Sequence, residues 1–201
     1  MELLYLLVAI AIVWRLANRS SQQRRIALLS QHLSPLRIEM LMSTVMDGYL
    51  RALGETDPQR QQQVWGVLET AEEEIETQLG CLAESVRQMD TSQARISRLP
   101  IAVPAVDQWW PQVCFDLREA LALHARGVAF VRAQQGWSNK ERAFAMTAEL
   151  MLFQHTCHWF CQSKLVASAR LMARHKTSFD QVLAAVSAPT REAYLRLTGG
   201  R

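Results

Sequence analysis

Leu3 to Trp14 reads LLYLLVAIAIVW, an unbroken apolar run with no charge on any face. An amphipathic surface helix needs a polar stripe, and this segment has none. Such a helix must be covered by protein or by lipid. Tyr5 and Trp14 stand near its two ends, where amphipathic aromatics favour a membrane–water boundary. Arg15, Arg19, Arg24 and Arg25 follow in quick succession. A signal peptide normally carries its basic residues before the apolar run, whereas here Glu2 precedes it and the Arg residues come after. A core helix of a soluble domain also accommodates an apolar run of this length. A membrane anchor accounts for the run, its aromatic ends and the trailing Arg together, and that is the expectation. As a helix, residues 2–17 span about 24 Å against a hydrocarbon core of about 30 Å. Snorkelling of Glu2 and Arg15, local thinning of the bilayer, or neighbouring membrane helices in a larger complex would make up the difference. The Arg bias after the run predicts a single span with the N-terminus outside and residues 18–201 in the cytoplasm.

The rest of the chain reads as all-α. Ala, Leu, Gln, Glu and Arg dominate, Gly and Pro are scarce, and Val-Ile-Thr alternation is nearly absent. At 49% hydrophobic, the chain has ample material for a core and is not disordered. The expected architecture is an N-terminal transmembrane helix followed by a bundle of about five to six helices, two of them long. Residues 1–18 form the anchor and residues 19–34 a basic juxtamembrane continuation. Residues 35–98 form a helical pair. Its first member starts at Ser34-Pro35, an N-cap followed by Pro at the first helical position, and stops at Gly54. Its second starts at Thr56-Asp57-Pro58 and runs to about Arg95. Leu68, Ile75, Leu79, Leu82, Val86 and Met89 there follow heptad-like spacing, interrupted by Glu72, with Gln61 on the polar side. The acidic run Glu72-Glu73-Glu74-Ile75-Glu76 reads as a solvated face.

Residues 99–111 (LPIAVPAVDQWWP) hold three Pro and break the helical pattern. The linker is apolar, so it should pack down. Residues 112–201 form the second helical group. A helix is expected from about Trp110 to Gln135, and a capping box at Ser138 and Glu141 opens a central helix over 139–176. Short helices then start at Thr177-Ser178 and Pro189, the last ending at Gly199-Gly200.

Few residues suggest chemistry. His155, Cys157, His158 and Cys161 fall at about 0°, 200°, 300° and 240° around a helix, so the last three share one face at a spacing a metal can use. A fourth ligand would have to come from elsewhere, from Cys81, Cys114 or His124, and the segment has no carboxylate to act as a base. Packing inside a central helix explains the same residues. No bound cofactor is implied. All four Cys are expected inside helical, apolar segments, as free thiols of a reducing compartment. His32 and His124 read as ordinary helical residues, and His175 as a complement to a helix C-terminus. Trp109-Trp110 offers an exposed aromatic for a partner or for lipid headgroups, and Arg15, Arg19, Arg24 and Arg25 can attract anionic lipid.

The net charge of +3 does not point to nucleic acid, and no such partner is expected. Residues 58–99 carry four Arg against seven acidic residues, and residues 138–201 nine Lys/Arg against four. The excess of Arg over Lys fits a bacterial chain, hence an inner-membrane location. No nucleotide-binding, hydrolase, zincin or EF-hand motif is present. The expected function is therefore non-enzymatic: a single-span membrane subunit or adaptor whose cytoplasmic helical domain docks other protein subunits, self-association included. The alternative is a membrane-tethered metal- or redox-dependent protein that uses His155, Cys157, His158 and Cys161.

Overall fold

Helix α1 (Glu2–Leu33) joins the apolar run and the basic segment into one rod. No Gly or Pro interrupts it, and its 32 residues make it about 48 Å long. The computed structural model describes residues 1–200, and in it residues 1–17 are exposed on every face. The second half of α1 behaves differently. Leu29 is buried, Leu28 and Leu33 are half-buried, and His32 hydrogen-bonds Ser85 at 3.2 Å.

Ser34 closes α1 rather than opening the next helix: its N–H donates to the Ser30 carbonyl. Helix α2 (Ile38–Gly54) begins three residues after the expected start at Pro35 and ends at Gly54, as expected. Helix α3 (Pro58–Arg87) starts where Asp57 predicts, with the carboxylate accepting the N–H groups of Gln59 and Arg60. It ends at Arg87, short of Arg95. Beyond it, Asp90 accepts the Ser92 N–H at 2.7 Å and turns the chain. Strand β1 (Arg95–Ser97) then pairs antiparallel with β2 (Cys114–Asp116), Ile96 opposite Phe115. This two-stranded ribbon staples the ends of the Pro-rich linker together and takes the place of the first turns of the helix expected from Trp110, which begins at Leu117 instead. The linker holds only a one-turn helix, α4 (Val106–Trp109), and a 3-10 turn at Pro111–Val113.

Helix α5 (Leu117–Arg132) is capped by Asp116. Helix α6 (Asn139–Cys161) opens on the Ser138–Glu141 capping box and forms the centre of the bundle. The single helix expected over 139–176 is in fact two. The chain becomes extended at Ser163, whose hydroxyl accepts the Val166 N–H and starts α7 (Lys164–His175). Helix α7 folds back on α6, with His155 bonded to Ser168 and His175 to Gln154. Helices α8 (Phe179–Ala185) and α9 (Ala188–Thr198) complete the body.

The heptad-like seam of α3 is consumed inside the molecule. Leu68, Ile75, Leu79, Leu82, Val86 and Met89 are all buried within one core shared with α2, α5 and α6, so this seam offers nothing to another chain. Glu72 is also buried rather than solvated. It accepts the Tyr49 hydroxyl at 2.6 Å and lies 4.0 Å from Arg142, tying α2, α3 and α6 together. Gly127 lets α5 approach α6 and α9, because a methyl group there would collide with Glu149 and Thr190.

Candidate functional site

The first candidate region is the junction where α1 enters the body. Asn18 is the first half-buried residue of α1, and its amide donates to the Ala102 carbonyl at 3.5 Å. Ser21, Gln22 and Arg25 continue the contact along a small crevice floored by Ser97, Leu99, Ala102, Val106 and Trp159. Arg15, Arg19 and Arg24 are exposed on α1. Arg25 departs from the expected basic group. Its guanidinium donates to the Phe160 carbonyl at 3.3 Å and lies over the Phe160 ring. Burial lowers its pKa, and Asp107 counters that effect. Arg25 thus locks α1 to the end of α6. Trp109 and Trp110 are 67% and 51% exposed, so neither is a core residue.

The second region is the 155–161 segment, which the fold distributes over different surroundings. His155 is buried, bonded to Ser168 at 3.1 Å, and stacks near Phe179. Cys157 lies in the core. Burial pushes its thiol well above the usual range, and burial lifts Cys161 to about 11. Both are therefore protonated thiols, poor as ligands and as nucleophiles. His158 is half-buried, with its pKa lowered by burial and by the positive charge of Arg170 and Arg174. Cations beside a ligand histidine oppose a metal ion. Among the described residues, no group of three or more His, Cys, Asp and Glu side chains is placed to hold one.

The other proposed thiol donors are remote in character too. Cys81 is exposed on α3, and Cys114 is half-buried on β2 rather than in a helix, while all four Cys are free. His124 is buried against Thr156, its Nε2 2.9 Å from the hydroxyl, and Tyr194 Oη sits 3.1 Å from the same oxygen. Thr156 donates to the Leu152 carbonyl at 3.0 Å, so its oxygen accepts from both His124 and Tyr194. That leaves His124 Nδ1 as a bare acceptor without a partner. The imidazole stays neutral because burial drops its pKa to about 3. His124, Thr156 and Tyr194 are each at most 1% exposed, which seals the group away from any substrate.

The third region is an open groove of about 940 Å³ between α2 and α6, closed at one end by α7. Met42, Met46, Leu50 and Leu53 line one wall, Phe144 and Met151 the other, and Gln154, His158, Arg174 and His175 the end. Leu50 and Phe144 are 74% and 67% exposed. Apart from His158, these groove residues were missed in the sequence as functional candidates. The signal was there: α2 carries more apolar positions than one buried stripe can use. Leu41, Val45, Tyr49 and Ala52 face the core, while Met46, Leu50 and Leu53 form a second stripe at i, i+4 and i+7.

The chain matches no protein-family profile, no curated protein and no solved structure.

Proposed function

We propose that this chain is a non-enzymatic, single-span membrane subunit or adaptor whose cytoplasmic helical body docks partner proteins. The observation that carries this reading is the division of α1. The helix is long and apolar enough to cross a membrane, and none of its most apolar 18-residue window is buried in the body. The remainder of the same helix packs on the bundle, so the apolar segment leaves the body with no break in the helix. An exposed apolar segment of this size is not tolerated in water and calls for lipid or membrane protein around it. The exposed Arg15, Arg19 and Arg24 after the run support an N-terminus outside and a cytoplasmic body. The α2–α6 groove, with Leu50 and Phe144 open to solvent, supports docking of an apolar helix face.

Cys81 provides a direct test, because it is the exposed thiol of the body. Intact cells expressing the full chain are treated with a membrane-impermeant thiol reagent, with Cys81→Ser as control. Labelling of Cys81 is expected only after lysis, in membranes that retain the protein through a carbonate wash. Labelling in intact cells would reverse the topology. Release by carbonate would remove the anchor.

A further inference from the structure

We infer that the linker face carrying Ile101, Trp109 and Trp110 lies on the lipid headgroups, as a collar that sets the depth of α1. This inference rests on the anchor reading and extends it to the body. Leu16 and Ala17 end the exposed apolar segment, and Asn18 is already packed on Ala102. Two residues of helix advance only about 3 Å. No Gly or Pro lies between them to form a flexible stalk. If the apolar segment sits in a bilayer, the polypeptide touching Asn18 must sit at its surface. That polypeptide is the linker.

The linker is held firmly there. Val106 is buried, Arg95 donates to the Asp107 carbonyl at 3.1 Å, and the Leu165 N–H donates to the Pro100 carbonyl at 2.9 Å. On this ordered backbone, Ile101 is 54% exposed, and the two Trp follow one turn after Val106. Trp is the side chain best suited to the boundary between headgroup and hydrocarbon, having a broad apolar ring and one N–H. Exposed Arg15 and Arg19 border the same exit point and suit anionic headgroups. Continuity with the apolar helix therefore favours lipid, rather than a protein partner, as what covers this face.

The test uses the full chain with Trp14→Phe, reconstituted in phosphatidylcholine–phosphatidylglycerol vesicles whose lipids carry bromine either near the headgroup or near the chain end. Headgroup-proximal bromine is expected to quench its fluorescence, and the quenching is expected to be lost when Trp109→Phe and Trp110→Phe are added. Buried Trp65 and Trp159 and half-buried Trp137 remain as the unquenched background. Adding Val8→Trp to that triple variant reports the anchor by itself, through quenching by deep bromine. Deep quenching of this variant, with no shallow quenching in the Trp14→Phe chain, would overturn the collar and leave the anchor standing. Shallow quenching that persists in the triple variant would also overturn it. Absence of both signals would overturn the anchor and the collar together.

Discussion

The first half of α1 and the centre of α6 have the same outward character, each apolar on nearly all faces. Their fates are opposite. From Ala145 to Phe160 every residue of α6 is buried or half-buried, whereas residues 1–17 are exposed throughout. The difference lies in a few polar atoms. Helix α6 carries Glu149, His155 and Thr156 within its apolar surface, and each has a fixed partner outside α6. Glu149 accepts from the Ser187 N–H and hydroxyl, His155 meets Ser168, and Thr156 meets His124 and Tyr194. Only a folded protein supplies such partners at set positions, and an unpartnered polar group in an apolar medium is costly. The run Leu3–Val13 has no side-chain polar atom apart from the Tyr5 hydroxyl near its end. A helix that is apolar all round but keyed with polar groups belongs in a protein core. One without keys suits lipid.

The largest effect expected from this contrast comes from placing the same charge in each helix. Leu152→Asp buries an unpaired carboxylate at a position with no exposure. That typically costs several kcal/mol, against a total stability of about 5–15 kcal/mol, so the body should unfold. Val8→Asp should leave the thermal transition of the body in detergent unchanged. In cells it should strip the protein of its carbonate-resistant membrane fraction, since Asp at a span centre opposes insertion by about 2.5–3.5 kcal/mol. Unfolding by Val8→Asp would break the comparison, because it would show that the apolar run packs on the body.

A smaller effect comes from the keys themselves. Burial drops both His124 and His155 from 6.5 to about 3. Their folded pKa values lie below the unfolded ones, so the stability they contribute is complete above pH 6.5. It is lost progressively as pH falls toward 3. Burial lowers His158 and His175 as well, which adds in the same direction. Glu149 works oppositely. Burial raises its pKa, so its contribution is complete below its ordinary 4.5 and fades as pH rises through the raised value. Thermal melts across this range should show an acid limb that flattens in His124→Gln with His155→Gln. An unchanged limb would mean that neither imidazole is held neutral by burial. Glu149→Gln should instead reduce the loss on the neutral side.

Much of this architecture was legible in the chain because its signals are local. Asp57-Pro58 and the Ser138–Glu141 box mark helix starts by chemistry confined to a few residues, and both hold. Ser163 is a signal of the same kind, but no Gly or Pro accompanies it anywhere in 139–176, and its cap on Val166 becomes apparent only once α7 folds back on α6. The β1–β2 ribbon was illegible for a different reason. Two three-residue strands, Arg95–Ser97 and Cys114–Asp116, carry too little periodicity to register, and their pairing is set by the closure of the linker between them. Glu72 looked like solvated surface because its partners, Tyr49 and Arg142, come from distant parts of the sequence. Among the candidate site residues, the exposure of Trp109, Trp110, Arg15, Arg19 and Arg24 fits the helical phase and the Pro-broken linker. The diversion of Arg25 to the Phe160 carbonyl does not follow from either, since it depends on where α6 ends.

The smallest effect separates the body from the anchor. Gln61 sits at the start of α3, on the side that the spacing of apolar residues marks as polar and tolerant. The structure gives it a task. Its amide donates to the Ala52 carbonyl at 2.9 Å and to the Glu55 carbonyl at 3.4 Å, closing the C-terminal end of α2. Helix C-termini leave carbonyls without partners, and a side-chain donor satisfies them. Gln61→Ala removes that donor from a half-exposed site where water replaces it in part, so the loss should be about 1 kcal/mol. For a chain of this length that is a fall in melting temperature of about 2–4 °C. Gln61→Asp, which swaps a donor for a charge facing two carbonyl oxygens, should lower it further. On the proposed anchor reading α1 alone sets the carbonate-resistant membrane fraction, which should then be the same in all three proteins. If that fraction falls in step with the melting temperature, the body holds the protein at the membrane. The apolar half of α1 would then need a protein neighbour rather than lipid.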